Sequence, residues 1–404
     1  MRATTIARMN SEDTHTHARH ADGIATHRDA VDGAPSQRSP GTIRQTGCGA
    51  DGSASLNAPV TPLLVRFGRM GDMVLQAPLL HLLHRRYGRP CILLSSGPWS
   101  QALYSHSDDV AEIWQLRGRH TPYVLSPERW SLVRALRRHD GPVYVSEDIE
   151  VQRRRIRALL HRAGIGEERC VFIDSESSGD DHWVDRLLEL GKLTPPQFDA
   201  AAYAWREPDL LRAPQLPIYD DDRRDLDAWL KRRGIGTVPL VLIQPGNKRT
   251  NRRRRSRQTD SKAWPIERWA AVMQAIRTHH PSVHFILCGG AAETAMLREI
   301  RARCAFDRVE VATRDLPLRR LLALAELAHS MIAVDTGPAH LAAAAGCPLL
   351  VLYGEDSPAR WDRRSPHGST VVNLGGPPQR SSVEEISTEE VIAGWQQLAR
   401  IVKT

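Results

Sequence analysis

The sequence has no stretch approaching the ~20 unbroken apolar residues of a membrane helix. Its best candidate, 341–354, is short and is interrupted by glycine and proline. An apolar h-region is also missing near the N-terminus, so no secretory signal is expected. Cysteines are few: Cys48, Cys91, Cys170, Cys288, Cys304 and Cys347, with no CxxC pair among them. That argues against a zinc ribbon or a thioredoxin-type centre and predicts reduced thiols in a cytoplasmic protein. Neither the GxGxxG dinucleotide fingerprint nor the GxxxxGK[ST] phosphate loop occurs. Aromatic residues make up only 5% of the 404 positions, and ten of them are Trp.

Charge is concentrated in one place. The net charge is +8, and seven bases fall between Lys248 and Arg257. Residues 1–60 hold as many acids as arginines, so the chain is nearly neutral apart from one basic run. Such a run predicts a local anionic partner more than a surface that coats nucleic acid. It lacks interleaved aromatics for base stacking, so no specific nucleic-acid partner is expected.

Residues 1–58 are rich in Thr, Ser, Gly, Asp, Arg and His and poor in large apolar residues. They read as a disordered leader, with His15, His17, His20 and His27 solvated. Order is expected from Pro62. Leu63–Phe67 is a short apolar strand, Gly68–Asp72 a tight turn, and Met73 onward a helix to Gly88, followed by a strand at Cys91–Leu94. Further strands are expected at Val143–Val145 and Val171–Ile173, with helices near 128–138 and 150–163. Pro208, Pro214, Pro217 and the acidic Asp220–Asp222 mark a linker. After a helix at 223–233 the strand–helix alternation restarts. Strands are expected at Val238–Ile243, His284–Leu287, Met331–Val334 and Leu349–Tyr353. Helices are expected at 264–279, 316–327 and 338–345, and from about Ser387, where Ser387 and Glu390 have capping-box spacing. Two such units predict an α/β protein with two doubly wound domains facing a cleft, spanning 59–222 and 223–404.

Four loci carry chemistry. Val334-Asp335-Thr336-Gly337-Pro338-Ala339-His340 runs from a strand into a helix. Pro338 suits the first turn, and the free N–H groups there suit a diphosphate. Asp335 alone reads equally as a helix cap. Lys262, ahead of Trp264-Pro265 and Glu267, is either a phosphate clamp or a solvated lysine. Gly289-Gly290 followed by Glu293 permits close approach of a nucleotide, with the carboxylate either accepting from a ribose diol or capping a helix. Asp72 stands at the carboxyl edge of the first strand, where open α/β sheets place ligands. It is either a helix cap or a general base.

Together these fragments resemble glycosyltransferase family 9, the bacterial heptosyltransferases of lipopolysaccharide core assembly. The matching pieces are VRFGRMGDMVLQAPLLHLL at 65–83, IQPG at 243–246, KAWPIERW at 262–269, LCGGAAE at 287–293 and VDTGPAHLAAAAGCPLLVLYGEDSPARW at 334–361, with a weaker HxVDR at His182–Arg186. The resemblance implies a GT-B fold of two Rossmann-like domains. It implies inverting transfer of a heptose from ADP-heptose to a saccharide acceptor such as lipopolysaccharide core, without a metal or other cofactor. By motif position it implies Asp72 as catalytic base and Lys262 as diphosphate ligand. Gly71, Gly246, Gly290, Glu293, Asp335, Thr336, Gly337 and His340 would surround the donor. The segment 247–257 departs from the family in carrying the basic run, which would meet acceptor phosphates, an anionic membrane or the ADP group, or remain a charged loop. Alternatives are another donor or acceptor, or a non-catalytic protein that binds phosphate or nucleic acid through that loop.

Overall fold

The computed structural model describes residues 58–116, 126–174, 181–247 and 260–399. The leader to residue 57 and the basic run 248–257 lie outside them. Ala54–Thr404 forms one compact unit.

Its first half alternates β1 (Leu63–Arg66), α1 (Met70–Val74), α2 (Ala77–Tyr87), β2 (Cys91–Ser95), α3 (Trp99–Tyr104), β3 (Val110–Gln115), α4 (Pro127–Arg138), β4 (Val143–Val145), α5 (Glu150–Arg162) and β5 (Cys170–Phe172), followed by α6 (Trp183–Lys192). The strands form a five-stranded sheet in the order β3-β2-β1-β4-β5. Every pairing is parallel. After α7 (Asp220–Arg232) come β6 (Leu240–Gln244), α8 (Ile266–His279), β7 (His284–Cys288), α9 (Thr294–Arg303), β8 (Val309–Ala312), α10 (Leu318–Leu327), β9 (Ser330–Val334), α11 (Gly337–Ala344), β10 (Leu349–Tyr353), α12 (Pro358–Trp361), β11 (Val371–Gly375) and α13 (Thr388–Ala399). These build a second parallel sheet, β11-β10-β9-β6-β7-β8. Two doubly wound sheets are thus present, as expected for GT-B.

The central strands are unbroken apolar runs because helices cover both faces of a parallel sheet. β1, β2, β6, β9 and β10 are buried along their whole length. One apolar cluster continues from Leu64, Leu79 and Trp183 to Leu242, Leu324 and Val351, so the two sheets share core. The helices follow local chemistry. Ser126 Oγ accepts from Arg129 N at 3.3 Å to start α4. Gly88, left-handed at φ 70°, closes α2. Ser387 and Glu390 make the expected reciprocal cap of α13, at 2.8 and 3.2 Å. Trp264 and Trp269 pack edge to face in the core, ring centroids 5.0 Å apart.

Several expectations change. Helix α1 begins at Met70, not Met73, so the Gly68–Asp72 turn ends three residues early and Asp72 sits inside the first turn. The acidic Asp220–Asp222 cluster is not linker. It forms the first turn of α7, where negative charge meets the positive end of the helix dipole. The 222/223 boundary therefore falls within a helix, one that packs on α10. Helix α8 starts at Ile266, after the Trp264-Pro265 step. Strands β3, β8 and β11 and helix α3 were not anticipated. The five described cysteines are free thiols, and burial pushes Cys288 up to about 12.

Candidate active site

The first half contributes the end of β1. Asp72 Oδ1 accepts from Arg66 Nη2 at 2.8 Å and Oδ2 from Arg69 N at 2.7 Å. Arg66 is buried and also meets Asp148 at 3.1 Å and Glu147 at 3.8 Å. Burial works against its charge, but these three carboxylates outweigh that and raise its pKa. Burial pushes the Glu147 carboxyl up, with Arg66 opposing. Asp72 keeps 22% of its side chain exposed, the opening through which a ligand would reach it.

The second half contributes the carboxyl ends of β9, β6 and β7, which are neighbours in the sheet. Strand order reverses between β9 and β6, the switch point where such sheets hold ligands. There Asp335 receives Lys262 Nζ on Oδ2 and Arg363 Nη2 on Oδ1. Burial would raise the Asp335 carboxyl, but Arg363 and Lys262 prevail and hold it well below the usual carboxylate range. Lys262 Nζ also contacts Asp356 at 2.5 Å. Arg363, fully buried, donates as well to Tyr353 Oη, and to Trp361 O at 3.0 Å.

At the start of α11 the Thr336 hydroxyl is buried and without a hydrogen-bond partner, and no side chain caps the helix. Free N–H groups, the dipole and an unused hydroxyl are chemistry suited to an anion. His340, one turn on, is kept neutral by burial and by the nearby Arg363 charge.

Helix α1 packs directly on α11. A Cβ on Gly71 would lie 3.1 Å from His340 Cδ2, and one on Gly337 would lie 3.1 Å from Gly71 N. The structure therefore brings together Gly71, Asp72, Gly337 and His340, and separately pairs Lys262 with Asp335 beside Thr336. Gly246, Gly290 and Glu293 form a third group. Glu293 is buried and accepts from Gly290 N at 2.6 Å. A Cβ on Gly246 would stand 1.9 Å from Glu293 Oε1, so this glycine makes room for the carboxylate.

Sequence reasoning missed four contributors. Arg66 reads as part of a strand, and Arg363 lies two residues beyond the last matching motif. Asp260 accepts from Asn247 Nδ2 at 2.9 Å and from Lys262 N at 3.1 Å, tying both feet of the 248–259 segment together. Trp361–Arg364 meets the HxVDR segment across the cleft. His182 Nε2 donates to Asp362 O at 3.0 Å, Arg364 grips Asp185 with two bonds of 2.6 Å, and Trp183 lies 5.5 Å from Trp361. The weak HxVDR motif was the one available signal for that latch.

Comparison with known proteins agrees with this architecture. Residues 213–392 match the profile of glycosyltransferase family 9 (heptosyltransferase). Over 99 residues the chain is 31% identical to the lipopolysaccharide core heptosyltransferase OpsX of Haemophilus influenzae, which covers 24% of this chain and 28% of that protein. The match thus spans little more than a quarter of that relative's length. The fold is similar to that of a family 9 glycosyl transferase from Veillonella parvula (TM-score 0.65, 16% identity, 84% of this chain and 97% of that one). It is also similar to E. coli ADP-heptose lps heptosyltransferase II (0.61, 20%, 84% and 99%) and to E. coli heptosyltransferase WaaC solved with ADP (0.57, 17%, 84% and 100%).

Proposed function

We propose that the chain, whose residues 213–392 match the glycosyltransferase family 9 (heptosyltransferase) model, transfers a heptose, with inversion and without a metal, from ADP-heptose to a saccharide acceptor such as lipopolysaccharide core. The observation that supports this reading is the packing of α1, the helix that carries Asp72, on α11, whose uncapped start suits an anion. WaaC, solved with ADP and with ADP-2-deoxy-2-fluoro heptose, supports ADP as the nucleotide.

In this mechanism an acceptor hydroxyl attacks the anomeric carbon from the face opposite the departing ADP. The transition state has oxocarbenium character, as in other glycosyl transfers. Asp72 takes the hydroxyl proton. Arg66 and Arg69 N each hold one of its oxygens, fixing the carboxylate while leaving further lone pairs free. Negative charge on the leaving diphosphate meets the N–H groups after Thr336 and the Lys262 ammonium. For Lys262 to turn to phosphate, the partly exposed Asp356 gives way while Asp335 stays. The Thr336 hydroxyl donates to the same phosphates or the sugar. Gly290 lets the nucleoside approach, and Glu293 receives the ribose hydroxyls. The run 248–257 is assigned to acceptor phosphates, since its feet converge on Asp260 next to Lys262.

No helix among the described residues is long and apolar enough to cross a membrane. The test of the donor is ADP release from ADP-heptose, followed by HPLC, with UDP- and GDP-sugars as controls. Release of only UDP or GDP from the controls would overturn the donor assignment.

A further inference from the structure

Helices α4 and α5 cover the same face of the first sheet, burying Leu132, Val133, Leu136, Ile156 and Leu160 against it. Their outward stripes are unusual. On α4, Trp130, Arg134, Arg137 and Arg138 follow one another at helical spacing, and all are exposed. On α5, Val151, Arg154, Arg155, Ala158 and Arg162 do the same. Arg137 Nη2 donates to Arg162 O at 3.4 Å, so the stripes lie side by side.

Half of the exposed large hydrophobics among the described residues belong here: Trp130 at 49%, Ile149 at 57% and Val151 at 57% exposure. Trp130 lies in the first turn of α4, Ile149 caps α5 and Val151 lies in its first turn, so all three stand at helix starts that follow the carboxyl ends of strands. Ile149 directly follows Asp148, the partner of Arg66, so this apolar end adjoins the candidate active site. Farther along α5, the same side borders a cavity of about 630 Å³. Arg157, His161 and Arg162 are exposed at its rim, while Leu160, Ile165 and Phe172 form its floor. Glu150 neutralises part of the charge through Arg153 and Arg154, and Glu167 faces Arg157 at 3.7 Å. Arginine remains in excess. Exposed carbon beside a surplus of arginine is the pattern of a surface that enters the headgroup region of an anionic bilayer.

We propose that the α4–α5 face docks on an anionic lipid bilayer, with Trp130, Ile149 and Val151 entering the headgroup boundary and the arginines meeting lipid phosphates. Docking there turns the Arg66–Asp72 edge of the cleft toward the lipid. The inference does not depend on the transfer reading, because binding is measured without donor or acceptor.

The test is co-sedimentation of the full chain with mixed phosphatidylglycerol–phosphatidylcholine vesicles and with phosphatidylcholine alone. Binding to the first and not the second is expected. Trp130→Ser/Ile149→Ser/Val151→Ser and Arg134→Ser/Arg137→Ser/Arg154→Ser/Arg155→Ser should each lower partitioning roughly tenfold or more, while Arg252–Arg255 replaced by serine should keep most of it. Hydrogen exchange on the unaltered chain, which needs no variant to fold, should slow over 127–138 and 150–162 when anionic vesicles are added. The proposal is overturned if both face variants sediment like the parent, if the 252–255 variant alone abolishes binding, or if exchange over the two helices is unchanged.

Discussion

Gly71 and Gly337 meet backbone to backbone: a Cβ on Gly337 would stand 3.1 Å from the Gly71 nitrogen and equally close to Met70 Cβ. The contact joins the helix that carries Asp72 to the helix start assigned to phosphate. A methyl group there needs the two helices to part by a few tenths of an ångström. Gly337→Ala should therefore fold normally but misplace the base, slowing transfer by roughly tenfold to a hundredfold. Steady-state rates beside a thermal melt check this, and an unchanged rate would show that the contact does not set the position of Asp72.

Lys262 is shared between a buried and a partly exposed acid. Lys262→Ala should weaken ADP binding by about 1.5–3 kcal/mol, the worth of a charge-assisted hydrogen bond. Asp356→Asn should do the opposite, tightening ADP several-fold by removing a competitor for the amine. Titration calorimetry separates these outcomes. Unchanged affinity in both variants would make Lys262 a structural ion-pair partner only.

Arg363 is the buried member of the same network. Arg363→Met leaves the Asp335 charge with Lys262 alone and strips the Tyr353 and Trp361 contacts. A loss of about 3–5 kcal/mol is expected for breaking a buried pair from one side. Asp335→Leu added to Arg363→Met should recover part of that loss, because the stranded carboxylate is gone. Urea denaturation of the three proteins measures it.

Three buried histidines, His139, His182 and His340, set the acid limit. Burial lowers His139 from 6.5 to about 4, and His182 and His340 are displaced in the same direction. The unfolded chain thus takes up protons before the folded one. Folding stability should be full above pH 6.5 and fall as pH drops toward 4. His139→Gln should make that decline shallower, as read from denaturation midpoints across the range.

Apolar runs such as CILLS in the first sheet and LLVLY in the second announce central parallel strands, so both sheets were legible in outline. Strand β3, VAEIWQ, was not, because an edge strand is half polar and offers no such run. The start of α1 was misjudged because Gly71 weakens the helical pattern, although the Asp72 carboxylate and Arg69 N cap it. Asp72, Lys262, Asp335 and His340 could be nominated from sequence because motifs flank them. Arg66 and Arg363 were not, since their importance lies in partners 82 and 28 residues away that only folding brings near. The role of Gly246 was equally hidden: it is set by a carboxylate on the neighbouring strand's loop.

Asp72→Asn tests the central claim most directly. Asparagine keeps the size of the side chain and still accepts from Arg69 N, so the fold and ADP affinity should persist. Without a carboxylate to take the acceptor proton, heptose transfer measured as ADP release should fall by roughly 10²–10⁴-fold. A stable Asp72→Asn protein that binds ADP and transfers at close to the parent rate would contradict the account.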